Sequence, residues 1–212
     1  MPGQKPNIVE IYRIVHIDNM DYLLAHGMFT KDHANADPNY RNIGDTILIQ
    51  QRTTYPVRIA PNGVLGDYVP FYFGPLSPML LNIKTGHRGI TQLPQSDIVY
   101  IVCEISTIFA NCNSYCFTNG HGKDNMTEFY NSPDDLDKVD WEIVRERYWR
   151  NKEDDLDRQR RKQAEFLVKD HVPVNCINRI IVYNAPTKAK VEHLLARLHL
   201  SIPVVINLDY YY

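Results

Sequence analysis

The chain has 212 residues and a formal net charge of −2 at pH 7, with 44% hydrophobic and 23% charged residues. These values fit a single globular domain, read as residues 1–212, that buries a core without crosslinks. They exclude a general electrostatic grip on nucleic acid and leave room only for a local basic groove. No run of about 18 apolar residues is present to span a membrane. The opening Met-Pro-Gly-Gln-Lys-Pro lacks a secretory apolar run, so the expected address is the cytoplasm.

In chain order, residues 8–17 read as a β-branched strand. Asp18 is then the expected N-cap of a helix with Met20, Leu23 and Leu24 on one face and Gly27 as its stop. Residues 28–46 lack periodicity and read as a long loop of the lid or binding type. Asn62 to Asp67 is turn chemistry leading into an aromatic strand, residues 68–73, which Gly74-Pro75 ends. Pro70 places that strand at an edge or a bulge. Residues 98–105 form the strongest strand. Residues 118–163 are polar and charged, with one helix expected over 141–149, capped by Asp140. Residues 164–168 read as a strand, although a helix is locally as good. A strand at 180–183, an amphipathic helix at 187–198 and a closing strand at 203–208 complete the chain.

Strands outnumber helices without regular alternation, which predicts an α+β fold. Gly63 and Gly66 are no dinucleotide fingerprint, because no strand–Gly-x-Gly-x-x-Gly–helix unit surrounds them. Cys103, Cys112, Cys116 and Cys176 are too few for a disulfide scaffold. Cys112 and Cys116 with His121 invite a zinc reading, but no second pair follows at finger spacing, so buried thiols without metal are expected. Arg145, Arg147, Arg150 and Lys152, then Arg158, Arg160, Arg161 and Lys162, form two basic runs interleaved with acids. Charge alone makes them a solvated helix face.

Several polar residues lie beside apolar strand positions: Arg13 and His16 on the first strand, Arg52 after Ile47–Ile49, and Glu165 within Ala-Glu-Phe-Leu-Val. A carboxylate in such a run needs a partner or a functional cleft. Half of a structural ion pair and an outward-facing strand residue both remain open for Glu165. His121, in a loop, is either catalytic or simply solvated.

Longer stretches carry a resemblance. They are Ile11-Tyr12-Arg13-Ile14-Val15-His16-Ile17-Asp18-Asn19, Gly63 through Phe73 with its Asp-Tyr-Val-Pro-Phe-Tyr-Phe block, and Ser77-Pro78-Met79-Leu80. Phe117-Thr118-Asn119-Gly120-His121, Gln163-Ala164-Glu165-Phe166-Leu167-Val168, Tyr183 and the aromatic C-terminus follow in the same order. The chain resembles the DarT toxins, DNA ADP-ribosyltransferases of bacterial toxin–antitoxin pairs. The resemblance implies an ADP-ribosyltransferase-like fold in which two packed sheets clamp NAD as co-substrate, with no metal. It implies Glu165 and Arg52 as catalytic residues, and Arg13, Ile14, Val15, Tyr22, Thr30 and Arg52 as NAD contacts. An NAD-covering element over about 30–52 and a substrate-recognition region over about 121–165 follow. His121, Arg145 and Tyr148 would meet single-stranded DNA, and Tyr130 could stack a base. Many relatives carry histidine where this chain has Arg13. The implied partner is a macrodomain-type antitoxin that removes ADP-ribose from DNA. The toxin itself is expected as a monomer that modifies thymine, or guanine second, and blocks replication. The rival readings are transfer to protein or RNA, NAD hydrolysis, and a catalytically silent nucleic-acid-binding module.

Overall fold

The structure, a computed structural model, describes residues 3–212; Met1 and Pro2 of the N-terminal stretch read above lie outside the described residues. The strands are β1 (Glu10–His16), β2 (Met28–Phe29), β3 (Pro56–Val57), β4 (Gly63–Val64), β5 (Tyr68–Tyr72) and β6 (Ile98–Glu104). They continue as β7 (Tyr115–Thr118), β8 (Phe129–Tyr130), β9 (Glu165–Lys169), β10 (His171–Val172), β11 (Arg179–Val182) and β12 (Val204–Ile206). The α-helices are α1 (Met20–His26), α2 (Thr46–Arg52), α3 (Pro78–Thr85), α4 (Ile105–Asn111), α5 (Arg158–Lys162) and α6 (Ala185–Arg197).

An eight-stranded sheet runs in the order β12-β11-β6-β1-β5-β9-β7-β8, beside two two-stranded sheets, β10-β2 and β3-β4. β6 pairs with β1 along its whole length and with β11 on its other side. Buried on both faces, it therefore reads as an unbroken apolar run. The α+β class holds, and the two expected sheets are two halves of one. β1 and β5 meet only at Tyr12↔Tyr72, whereas β5 pairs with β9 from Tyr68↔Lys169 to Tyr72↔Glu165. Pro70 explains the split. Its carbonyl faces β1 and takes the Arg13 guanidinium at 2.9 Å. Its nitrogen points the same way, so the missing N–H costs the β5–β9 ladder nothing. β5 is thus inside the sheet by order yet an edge along most of its β1 side.

Asp18 does not cap α1. The chain first makes a 3-10 turn, Ile17–Asn19, and α1 starts after Asn19 with no side-chain cap bond. Asn19 is drawn away to the main chain of Arg41, at 2.9 and 2.8 Å, and Asp18 binds the Arg41 guanidinium at 2.7 Å. Both contacts pin the 30–41 loop onto α1 from more than twenty residues away in sequence. Gly27 does end the helix, at φ +90°, where a Cβ would stand 2.5 Å from the Val172 carbonyl oxygen.

The helix expected over 141–149 is absent. Only Ile143–Arg145 winds, as a 3-10 turn whose N-cap is Glu142 without a side-chain cap bond. Asp140, the expected cap, accepts from the Ile143 N–H at 3.1 Å but stands before the cap position. Lys162, 2% exposed, gathers the carbonyls of Pro75, Val144 and Glu146 at 3.0, 2.8 and 2.7 Å. Carbonyls converging on one ammonium are not free to line up along a helix axis. Ile47–Ile49, read as strand-like, belong instead to α2, whose Asp45 cap accepts from Ile47 and Leu48.

The main core packs α1, α4 and α6 on one face, with Phe71, Phe73, Phe117, Phe166 and Trp141. A second cluster joins Tyr12, Leu80, Tyr100 and Tyr211 under α3 and the C-terminus. A third, smaller one unites Val57, Leu65, Tyr68, Cys116 and Leu167.

Candidate active site

Glu165 opens β9. Strand alternation sends Phe166 and Val168 into the main core and leaves Glu165 on the face of Leu167, in the third cluster. Thr118 anchors its main chain: the Glu165 N–H donates to Oγ1 at 2.9 Å, and that hydroxyl donates to the Gly120 carbonyl at 2.7 Å. Glu165 is 4% exposed. Oε1 binds Arg52 Nη1 at 2.8 Å, and Oε2 accepts the Gly122 N–H at 3.2 Å. A Cβ on Gly122 would lie 2.6 Å from Oε2, so only glycine leaves room for this approach.

Arg52, with its side chain 11% exposed, is carried to Glu165 by the last turn of α2. Its Nη2 is buried without a hydrogen-bond partner, a state that costs about 1–3 kcal/mol if nothing polar arrives. The site therefore offers one carboxylate, one fixed cation and one unmet donor within an apolar wall. Such an arrangement can stabilise a developing positive charge and hold an anionic or carbonyl oxygen.

Tyr72 escaped the sequence reading. It faces Glu165 directly across the β5–β9 ladder. Burial pushes its phenol well above the ordinary value and Glu165 adds to this, against Arg52 and Arg13, so Tyr72 stays protonated. Only the register discloses the pairing, although the two-residue alternation of Tyr68, Pro70 and Tyr72 marks one face.

His121 joins the pair. Burial lowers its pKa below the ordinary 6.5, and Arg52 reinforces the shift while Glu165 opposes it. It is neutral at pH 7, and charging it would set a second cation beside Arg52. Activity is expected to fall on acidification with a midpoint below 6.5. His121→Asn should abolish that acid limb in a pH profile of kcat/KM, and an unchanged limb would assign it to another group.

Other expected residues lie further out. Ile14 and Val15 point into the two cores, so only their main chain is free to contact a ligand. Thr30 is buried, its N–H on the Asp170 carbonyl at 3.0 Å, and Tyr22 donates to the Asn35 carbonyl at 2.9 Å. Arg145 and Tyr148, the latter 80% exposed, sit on the segment packed against Gly74 at the end of β5. The second basic run is no solvated face. Arg160 binds Asp157 at 2.7 Å, and Arg161 binds Asp140, Asp155 and Asp157. Lys162 is buried as described. All four cysteines are free and buried, and among the described residues no group of three metal-ligating side chains forms. No helix of the described residues is long and apolar enough to cross a membrane.

Comparison with known proteins gives a consistent result. The family model described as "DarT: ssDNA thymidine ADP-ribosyltransferase, DarT" matches residues 12–212. A DNA ADP-ribosyl transferase of Escherichia coli O127:H6 (strain E2348/69 / EPEC) is 36% identical over 207 residues, covering 98% of this chain and 95% of that protein. The structure of Thermus sp. 2.9 DarT in complex with ADP-ribosylated ssDNA superposes with a TM-score of 0.90 at 32% identity, covering 100% of both chains. That of the same DarT in complex with NAD+ gives 0.85 at 31% identity, covering 99% of this chain and 100% of that one.

Proposed function

The chain belongs to the DarT family of DNA ADP-ribosyltransferases, and on that premise we propose that it transfers ADP-ribose from NAD to thymine in single-stranded DNA. Guanine is the second choice of base. The transfer depends on sequence context, and the protein acts as the toxin of a toxin–antitoxin pair by blocking replication. The observation that carries this reading is the buried Arg52–Glu165 pair with its unpartnered Nη2.

NAD supplies the ADP-ribosyl group, and nicotinamide leaves when its bond to ribose breaks. Glu165 stabilises the positive charge that develops at the ribose carbon and can hold the 2′-hydroxyl. Arg52 stays charged, since a guanidinium pKa lies above about 12, so it is no proton acceptor. Its free Nη2 fits a phosphate or the oxygen of a base losing its proton, and Glu165 takes that proton. Arg13, the main chain of Ile14 and Val15, Tyr22 and Thr30 hold the donor under the 30–52 element. Neutral His121 positions the acceptor, and exposed Arg145 and Tyr148 offer it a phosphate contact and a stacking ring. The acceptor is single-stranded because a base inside a duplex cannot reach a cleft. Such a toxin works as a cytoplasmic monomer and implies an antitoxin, of macrodomain type, that removes ADP-ribose from DNA.

The test is intact mass of single-stranded oligonucleotides incubated with the protein and NAD. The expected result is a gain of one ADP-ribose on thymine-containing strands. Consumed NAD with unmodified DNA would point to protein, RNA or water as acceptor. Intact NAD and intact DNA would mark a silent binding module.

A further inference from the structure

A concavity of about 670 Å³ opens at the β8 edge of the sheet, outside the Arg52–Glu165 pair. Tyr55 and Arg58 line one wall, and Thr127, Phe129 and Tyr130 the other. Its size lies within the roughly 300–1,000 Å³ of sites that enclose a small molecule, enough for a nucleotide.

Both walls are rooted in the catalytic pair. The Tyr55 N–H bonds the Arg52 carbonyl at 3.4 Å, and the opposite wall begins just after Gly122, the donor to Glu165. Lys123 clasps Gln51 across the catalytic end, and Asn131 holds the Ala60 carbonyl at 3.2 Å at the other. Strand order supplies a direction. Arg13 stands on β1, Glu165 on β9, and the concavity on β8, so Glu165 lies between the donor side and the concavity. A departing nicotinamide and an incoming base cannot occupy one side of the ribose.

The lining suits a nucleotide. Tyr55 and Tyr130 present aromatic surface; Tyr130 rests on buried Phe117 with centroids 5.5 Å apart, which fixes its ring. Arg58 is exposed and has no acidic partner among the described residues. Glu128 also borders the concavity, but its carboxylate is committed to the Tyr130 hydroxyl and to Asn119. Taking the chain as a single-stranded DNA ADP-ribosyltransferase, we infer that this concavity holds the nucleotide next to the modified base. A base stacks on Tyr55 and Tyr130, and its phosphate meets Arg58.

The test measures DNA binding by fluorescence anisotropy, and kinetics, on thymine-containing oligonucleotides trimmed one nucleotide at a time from either side. In the parent protein one trimming step should raise the KM for DNA at least about fivefold. Arg58→Ala should raise that KM several-fold and reduce the slope of log Kd against log salt by about 0.7, one lost phosphate contact. Its kcat and its KM for NAD should stay at parent values. Tyr130→Leu should erase the trimming step. Parent-like salt slope and trimming step in both variants would overturn the subsite, as would a raised KM for NAD. With DNA still modified normally, that result sinks the subsite alone. An unmodified oligonucleotide with the parent protein sinks the functional reading and the subsite with it.

Discussion

Replacing Glu165 by glutamine is expected to slow ADP-ribosyl transfer to DNA by about 10²–10³-fold. The amide has nearly the same shape, so an oxygen can still accept from Arg52 or from the Gly122 N–H, which lie at 2.8 and 3.2 Å. It cannot do both, because its nitrogen must face one of two donors. The negative charge that would meet the ribose carbon is gone. The loss should fall on kcat, with the KM for NAD little changed, because the missing interaction develops in the transition state. The measurement is single-turnover transfer followed by intact mass, with a thermal melt as the folding control. Breaking a buried ion pair can cost about 3–5 kcal/mol, so Glu165→Gln, which keeps a hydrogen bond, separates chemistry from stability better than alanine. A variant within about tenfold of the parent would remove Glu165 from the chemistry.

Gly74→Ala is expected to destabilise the protein by about 3 kcal/mol or more. A Cβ at that position would stand 1.8 Å from the Val144 carbonyl oxygen and 2.7 Å from its carbon. Neither atom can yield like the end of a side chain. Val144 is fully buried, and the same oxygen takes the Lys162 ammonium at 2.8 Å. Relief therefore means peeling the segment that bears Arg145 and Tyr148 from the end of β5 and undoing that bond. For a chain of this size the cost corresponds to a drop in Tm of about 6–12 °C. Gly44→Ala is the control: its Cβ would meet flexible side-chain atoms at 3.3 Å and beyond, without positive φ. A Gly74→Ala melt matching that of Gly44→Ala would show that the segment is not held there.

The proposed catalytic carboxylate was legible because it breaks a local pattern. Glu165 stands out as a carboxylate in an apolar strand, and its burial beside Arg52 answers the question that pattern raised. Of the alternatives left open for it, the outward-facing one is excluded. The ion pair is present, with an unmet Arg52 donor and His121 within its electrostatic reach, which supports the proposed catalytic role. His121 is partly buried and tuned by the pair, not simply solvated. The resemblance to DarT added what no spacing argument supplied, namely which polar residues belong together.

The residues by themselves determined the elements and stops whose signals are local: β6 with its continuous apolar run, α6, and the Gly27 terminus, while the ladder with β5 decided β9 for strand over helix. The residues also marked Glu165 as a carboxylate in need of a partner, and the structure supplied that partner as Arg52. Tertiary structure decided everything that depends on a partner distant in sequence. The Asp18 cap expected for α1 did not form, because Asp18 and Asn19 both bind Arg41, and the 141–149 segment gave up helix to the Lys162 ammonium. Pro70 found a place inside the sheet order because β1 and β5 part around it, with Arg13 crossing the gap. Tyr72 and Gly122 entered the site through register and close approach, and the concavity at β8 formed where two loops meet. Each of these is a long-range contact whose energy outweighs a local preference of about 1 kcal/mol. No window of sequence holds both partners of such a contact.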